Sequence, residues 1–291
     1  MCGISGVYGK EAPLKALYIT LCQLDRGVEG TGVAWIKKGE IKVKKEEIHP
    51  IQFLQKYIFQ LPRRVRVAIG HNRLPSVGTV RYENTHPFVS CDGEFALVHN
   101  GSAMAHKLRR ELEERGHKIY GETDSELLCH RLEEYYYQTK DMKKALMRLY
   151  KNELSGAILV LTRDGEIWGI RTGFWTPLIV GETEEGIYVA SEEKAIKTIT
   201  HGRAKITPIK VKQILHIADG NVEIIGKGIT EVSITTYRYD YWRSYSPRRT
   251  AYIIKCKSKK EKKKAVEKEE TEETLEDIEL NWRGKPKRWW W

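Results

Sequence analysis

Cys2 is the residue of this chain whose type and position could do chemistry with least help from elsewhere. A cysteine at position two becomes the first residue once the initiator methionine is removed. Its thiol then shares one residue with a free α-amino group, whose reference pKa of about 7.7–8.0 lies close to working pH. That amine can serve as the base that activates the thiol, as in other nucleophiles paired with an adjacent base. Taken alone, Cys2 reads first as an ordinary small residue after the start codon, and Gly3 and Gly6 change that little. The nucleophile reading depends on whether the rest of the chain supplies groups that hold a substrate.

The chain has 291 residues, 41% of them hydrophobic. That is room for one large domain or two small ones, with a real core. No run of about eighteen apolar residues predicts a membrane span, and the N-terminus lacks the charged-then-apolar pattern of a secretory signal. The five cysteines are Cys2, Cys22, Cys91, Cys129 and Cys256. No two form a C-x-x-C pair, which argues against zinc, and an odd, scattered set suits a reducing cytoplasm. The net charge of +11 comes from 50 basic and 39 acidic residues mixed along the chain, the pattern of a heavily charged solvated surface.

The elements that must position Cys2 follow from periodicity. Residues 1–9 read as a first strand, and Leu14, Leu17, Tyr18 and Leu21 at helical spacing predict a helix over 13–24. A glycine-rich turn, Asp25–Gly32, precedes a hairpin around Lys38-Gly39-Glu40. His49 to Gln60 reads as a short helix. Val65–Gly70 is a buried strand that runs into the loop His71–Gly78, with a second loop at Asn84–Phe88. Phe95–Val98 is a strand ending at His99-Asn100-Gly101-Ser102. Helices are expected from Ala105 to Arg115, from Thr123 to about Tyr137 and from Asp141 to Tyr150, with Thr123 as cap and Glu126 three positions on. From Gly156 the texture changes to short β runs, and Asp219-Gly220-Asn221 marks a hairpin.

Four stretches then stand in one order: Cys2-Gly3-Ile4; Arg26-Gly27 followed by Gly32; Gly70-His71-Asn72-Arg73 with Asn84-Thr85-His86-Pro87; and His99-Asn100-Gly101 followed by Glu122-Thr123-Asp124. Any one piece is weak, but the ordered set with a cysteine at position two closely resembles the class II glutamine amidotransferases, whose glutaminase domain is an N-terminal-nucleophile hydrolase. The resemblance continues through Ser155-Gly156-Ala157, Gly169-Ile170-Arg171 and Ala190-Ser191-Glu192, and covers roughly residues 2–230. It implies an α+β fold, a four-layer αββα sandwich of two antiparallel sheets. It also implies an enzyme that turns L-glutamine and water into glutamate and ammonia through a γ-glutamyl thioester on Cys2, with no metal or organic cofactor.

The residue roles that the resemblance implies have physical counterparts. Arg73 matches the arginine that forks onto the glutamine α-carboxylate; a lone arginine otherwise reads as half of a surface salt bridge. Asp124 matches the aspartate that pairs with the α-ammonium, and helix capping around Thr123 is its structural alternative. Asn100, through its side-chain amide, and Gly101, through its backbone N–H, match the oxyanion hole, where one donor is typically worth about 2.7–4 kcal/mol in the transition state. Arg26 matches the arginine beside the nucleophile. His71 and His86 match recurrent positions but read as structural.

The chain departs from the family pattern at Leu74-Pro75-Ser76-Val77, where many members carry tryptophan, alanine, threonine and histidine, and at Val28–Gly32. The first loop closes over glutamine in the family, so an amidohydrolase of another γ-glutamyl compound is an alternative reading. Residues 1–250 are assigned to the glutaminase domain and 251–291 to a charged tail that cannot bury enough surface to fold alone. The 60 or so residues after position 230 are too few for a synthase domain, so the acceptor enzyme is expected on a separate chain. A rival of another class, a nucleic-acid-associated or scaffold protein, rests on the +11 charge, the aromatic and basic stretch 237–249 and the tail. Against it, the tail from Lys255 holds 12 basic and 9 acidic residues and nearly balances.

Overall fold

The computed structural model describes residues 1–103 and 105–229. The aromatic stretch 237–245, the tail and the expected domain limit at 250 lie outside the described residues. Alternation along the strands decides the architecture, because successive side chains of a strand point to opposite faces. In strand β1 (Gly3–Gly9), Ile4 joins one apolar cluster and Val7 another; in β4 (Val67–Asn72), Val67 and Ile69 join the first and Ala68 the second. In β7 (Leu154–Thr162), Ala157, Leu159 and Leu161 meet the cluster of Ile4 and Ile69, while Ile158 and Val160 face away.

Each sheet is therefore apolar on both faces, and each needs a second cover. The first sheet has seven strands in the order β11 (Lys205–Pro208), β9 (Ile179–Thr183), β10 (Gly186–Ala190), β1, β4, β2 (Thr31–Lys37), β3 (Glu40–Glu46). The second has six: β13 (Asn221–Ile225), β12 (Ile214–Ala218), β8 (Ile167–Arg171), β7, β6 (Phe95–Ala103), β5 (Phe88–Val89). Every pairing is antiparallel. Helices α1 (Ala12–Leu21), α2 (Pro50–Tyr57) and α6 (Glu193–Ile199) cover the outer face of the first sheet through Leu17, Phe53 and Ile196. Helices α4 (Asp124–Thr139) and α5 (Met142–Asn152) cover the second through Leu128, Leu132 and Leu146. Helix α3 (Ala105–Glu114) packs Leu108 and Leu112 against Leu127 of α4. This is the expected αββα sandwich of antiparallel sheets.

Local chemistry sets the boundaries. Thr123 caps α4 by accepting from the Glu126 N–H at 3.4 Å, a contact worth about 1 kcal/mol. The Glu126 carboxylate does not close a reciprocal box; it accepts from the Tyr120 and Gly121 N–H groups at 2.8 and 2.7 Å. Asp219 and Gly220 both have positive φ, 50° and 78°, which matches the two-residue turn the sequence predicts between β12 and β13. Two strands were not anticipated. β5 has two residues and β11 four, of mixed burial, too short for a periodic signal. No helix among the described residues is long and apolar enough to cross a membrane.

Candidate active site

Cys2 immediately precedes β1, between its neighbours β4 and β10. Main-chain groups of the following residues are tied down on both sides. The Ile4 N–H donates to Ser191 Oγ at 3.1 Å, and the Ser191 N–H donates to the Ile4 carbonyl at 3.2 Å. Gln23 bridges the same two residues, donating to the Ile4 carbonyl at 3.2 Å and accepting from the Ser191 N–H at 2.9 Å. Arg26, nearly buried, donates from Nε to the Cys2 carbonyl at 2.9 Å and pairs through Nη1 with Glu192 at 3.4 Å. Asn72 donates to the carbonyls of Gln23 and Gly27, both at 2.7 Å. A Cβ on Gly3 would stand 2.1 Å from Asn72 Oδ1, so glycine there lets the Asn72 amide pack against the start of β1.

The Cys2 thiol is half-buried and touches the main chain of Leu74, whose N–H lies 3.4 Å and whose carbonyl lies 3.6 Å from Sγ. Burial pushes the thiol up from its ordinary value. The Leu74 N–H, the N-terminal ammonium and the guanidinium groups of Arg73 and Arg26 pull the other way, as donors and cations favour a thiolate.

The opposite wall comes from the second sheet. His71 of β4, the β-partner of Ile4, reaches across to the His99 carbonyl of β6 at 3.1 Å. That bond ties β4, the neighbour of β1, to β6, in which Asn100 and Gly101 are the next residues. Asn100 is 1% exposed, and its Nδ2 has no hydrogen-bond partner among the described residues. A buried amide donor left unpaired costs free energy and calls for an explanation. A Cβ on Gly101 would lie 2.1 Å from the Ser155 carbonyl oxygen and 2.7 Å from His99 Nε2. The glycine thus admits β7 and His99.

Asp124, the first residue of α4, is nearly buried and accepts from the Ala103 N–H at 2.7 Å. Ser125 Oγ meets His99 Nδ1 at 2.9 Å. These two contacts fix the start of α4 beside the end of β6. Arg73 is not half of a surface salt bridge. It is 2% exposed, and its guanidinium donates to the carbonyls of Thr79 and Val77 at 2.8 Å and of Gly78 at 3.2 Å. The loop it gathers is clasped by Glu122, which accepts from the Thr79 N–H at 2.9 Å and from Asn84 at 3.0 Å. Gly27 lets this loop close, since a Cβ there would be 2.4 Å from the Arg73 carbonyl.

His71, His86 and His99 are buried, with the His71 and His86 rings stacked at 3.8 Å and His99 on the face of β6 that meets α4. Burial holds all three below the ordinary imidazole value, His71 at about 3. They are neutral spacers. Cys2 and Arg26 are in direct contact, Arg73 adjoins them through Leu74, and Asn100, Gly101 and Asp124 follow through the His71–His99 bridge. Sequence reasoning missed Gln23, Asn72 and Ser191 as positioning residues. Asn72 and Ser191 stand inside stretches already singled out; Gln23 has no signal beyond its place at the end of α1.

Comparison with known proteins follows the same lines. A family model described as a glutamine amidotransferase domain matches residues 59–242. The chain is 30% identical over 246 residues to glutamine–fructose-6-phosphate aminotransferase of Aquifex aeolicus, covering 82% of this chain and 38% of that protein. It is 32% identical over 240 residues to amidophosphoribosyltransferase of Methanocaldococcus jannaschii, covering 76% of this chain and 48% of the other. Among solved structures, the glutamine phosphoribosylpyrophosphate amidotransferase from B. subtilis shares the fold with a TM-score of 0.67 at 24% identity, over 77% of this chain and 49% of that one. A glutamine aminotransferase class-II domain protein from Silicibacter pomeroyi aligns with a TM-score of 0.53 at 13% identity, over 78% of this chain and 100% of that one. The chain thus spans less than half the length of these two curated relatives.

Proposed function

The chain belongs to the class II glutamine amidotransferases, and from that premise we propose that Cys2, freed of Met1, attacks the glutamine amide to give a γ-glutamyl thioester and ammonia. Water then cleaves the thioester to glutamate. The observation that carries the reading is the unpartnered Asn100 Nδ2, a buried donor on the strand tied to the neighbour of β1. Attack places negative charge on the amide oxygen, and a donor already fixed and desolvated stabilises that charge without reorganisation. Gly101 N–H is the second donor of the hole. Asp124 receives the α-ammonium. Arg73 takes the α-carboxylate with donors that its loop carbonyls leave over, which couples substrate binding to the loop that the guanidinium gathers. Arg26 holds the nucleophile by its carbonyl.

Ammonia is in turn passed to an acceptor enzyme. We propose that the acceptor enzyme is another polypeptide. Met1 is 56% exposed, so the bond to be cut is open to an aminopeptidase. The test compares the chain made with and without methionine removal, confirmed by intact mass. Only the form beginning at Cys2 should release glutamate and ammonia from glutamine. Equal turnover by the form that keeps Met1 would overturn the α-amine as base, since acylation removes its basicity.

A further inference from the structure

Cys91, His117, His130 and Glu133 bring four metal-binding atoms together, all within 4.8 Å of one another. They come from three elements that the sequence keeps apart. Cys91 lies in the turn between β5 and β6, His117 in the segment between α3 and α4, and His130 and Glu133 three residues apart on one face of α4. Cys91 Sγ is 3.5 Å from His117 Nδ1 and 3.4 Å from His130 Nδ1. Glu133 Oε2 is 3.5 Å from His130 Nδ1 and 3.7 Å from His117 Nδ1. A tetrahedral zinc ion with bonds of about 2.3 Å to sulfur and about 2.0–2.1 Å to nitrogen and oxygen has ligand–ligand edges of roughly 3.3–3.6 Å. The four spacings above, 3.4 to 3.7 Å, lie at or just beyond those edges, and all the ligand atoms lie within 4.8 Å of one another.

The surroundings are built for such an ion. The Cys91 N–H donates to Glu133 Oε1 at 3.1 Å, leaving Oε2 for the centre. His117 turns Nδ1 inward and Nε2 toward Glu134 at 3.5 Å, and Glu134 is held by Arg131 at 2.6 Å and Arg115 at 2.9 Å. A carboxylate behind the far nitrogen of a histidine is the usual outer support of a metal ligand. Cys91 and His130 also line an open cavity of about 790 Å³, which provides an entry path.

We propose that these four side chains form a structural zinc site that staples the β5–β6 turn and the α3–α4 segment to α4. One thiolate and one carboxylate balance the dication, and two neutral imidazoles complete a closed tetrahedral set with no position left for substrate. Zinc binding displaces the thiol proton of Cys91 to solvent. Because α4 begins at Asp124, the staple braces the helix that carries one wall of the active site.

The test uses the full chain without a polyhistidine tag, purified from zinc-supplemented medium and analysed by elemental mass spectrometry. One zinc per chain is expected, removed by a strong chelator and restored by zinc chloride. Reconstitution with cobalt(II) should give intense tetrahedral d–d bands and a sulfur-to-cobalt charge-transfer band. Cys91→Ser should lose the charge-transfer band, and Glu134→Gln, which keeps all four ligands, should bind zinc about 10–100-fold more weakly. Should Cys91→Ser fail to fold, titration of the chelator-treated wild-type chain with cobalt(II) decides alone. A wild-type chain that binds neither zinc nor cobalt, or a cobalt spectrum without a sulfur ligand, overturns the site.

Discussion

Cys2 lies among donors and positive charge: the Leu74 N–H, the N-terminal ammonium, Arg73 and Arg26 all lower its thiol against the effect of burial. Cys91 lies among lone pairs and negative charge. Burial and then the Glu133 carboxylate push its thiol up to about 11. Burial raises both thiols, and the groups beside them differ: donors and cations oppose the rise at Cys2, whereas the Glu133 carboxylate adds to it at Cys91. Donors around a sulfur favour a free thiolate that can attack carbon. The two sites also differ in what they leave unmet. Near Cys2 the polar atoms without partners include donors, Asn100 Nδ2 and Arg26 Nη2. Around Cys91 the histidine and glutamate atoms crowd one point.

The largest effect expected from this contrast is at the nucleophile. Cys2→Ala should abolish glutamine hydrolysis, whereas Cys22→Ala, which trims a partly buried thiol packed against the outer cluster of the first sheet, should leave kcat within about twofold. Steady-state ammonia release measures both. Loss of activity in Cys22→Ala, or its survival in Cys2→Ala, breaks the assignment of the two thiols.

Next in size is the unpaired donor. Asn100→Ala should lower kcat by about 10²–10³, the usual cost of one oxyanion-hole donor, with a small change in KM. If the amide were merely structural, kcat would persist in the folded variant. A smaller effect concerns the buried histidines. His71 takes up a proton in the unfolded chain near pH 6.5 but in the folded chain only at about 3. Between those values the unfolded state binds more protons, so stability is level above the window and falls as pH falls through it. The urea midpoint should decline from about pH 6.5 downward, and His71→Gln should show a shallower acid slope while being less stable at neutral pH. Equal slopes would show that His71 is not held neutral by the fold.

The sequence makes the nucleophile side legible because its groups sit in short contiguous runs. Cys2-Gly3, Arg26-Gly27, Asn72-Arg73 and Asn100-Gly101 each carry a turn or strand-end pattern with the functional residue inside it. The layered fold is legible for a similar reason, since strands such as β7 are continuous apolar runs of the kind that is buried on both faces. The loop after Arg73 is not legible, because the guanidinium is taken up by the carbonyls of its own loop. The Cys91 site is not legible either. Its spacings of 26, 13 and 3 residues follow no metal motif, and the lack of a C-x-x-C pair argues against zinc when read from sequence alone. Only the sandwich, which sets the β5–β6 turn beside α4, brings those ligands together. Gln23 is silent in sequence because its amide works through two main-chain groups of residues 4 and 191.

The central claim is that Cys2, alone among the thiols of this chain, is a nucleophile served by a glutamine-binding site. It is tested most directly by treating the full chain with a glutamine-like diazo-ketone electrophile, followed by intact-mass analysis and peptide mapping. A single adduct on Cys2 of a chain lacking Met1, suppressed by excess glutamine, is the predicted result. An adduct on Cys22, Cys91, Cys129 or Cys256 with Cys2 unmodified, or labelling of Cys2 that glutamine does not suppress, would contradict it.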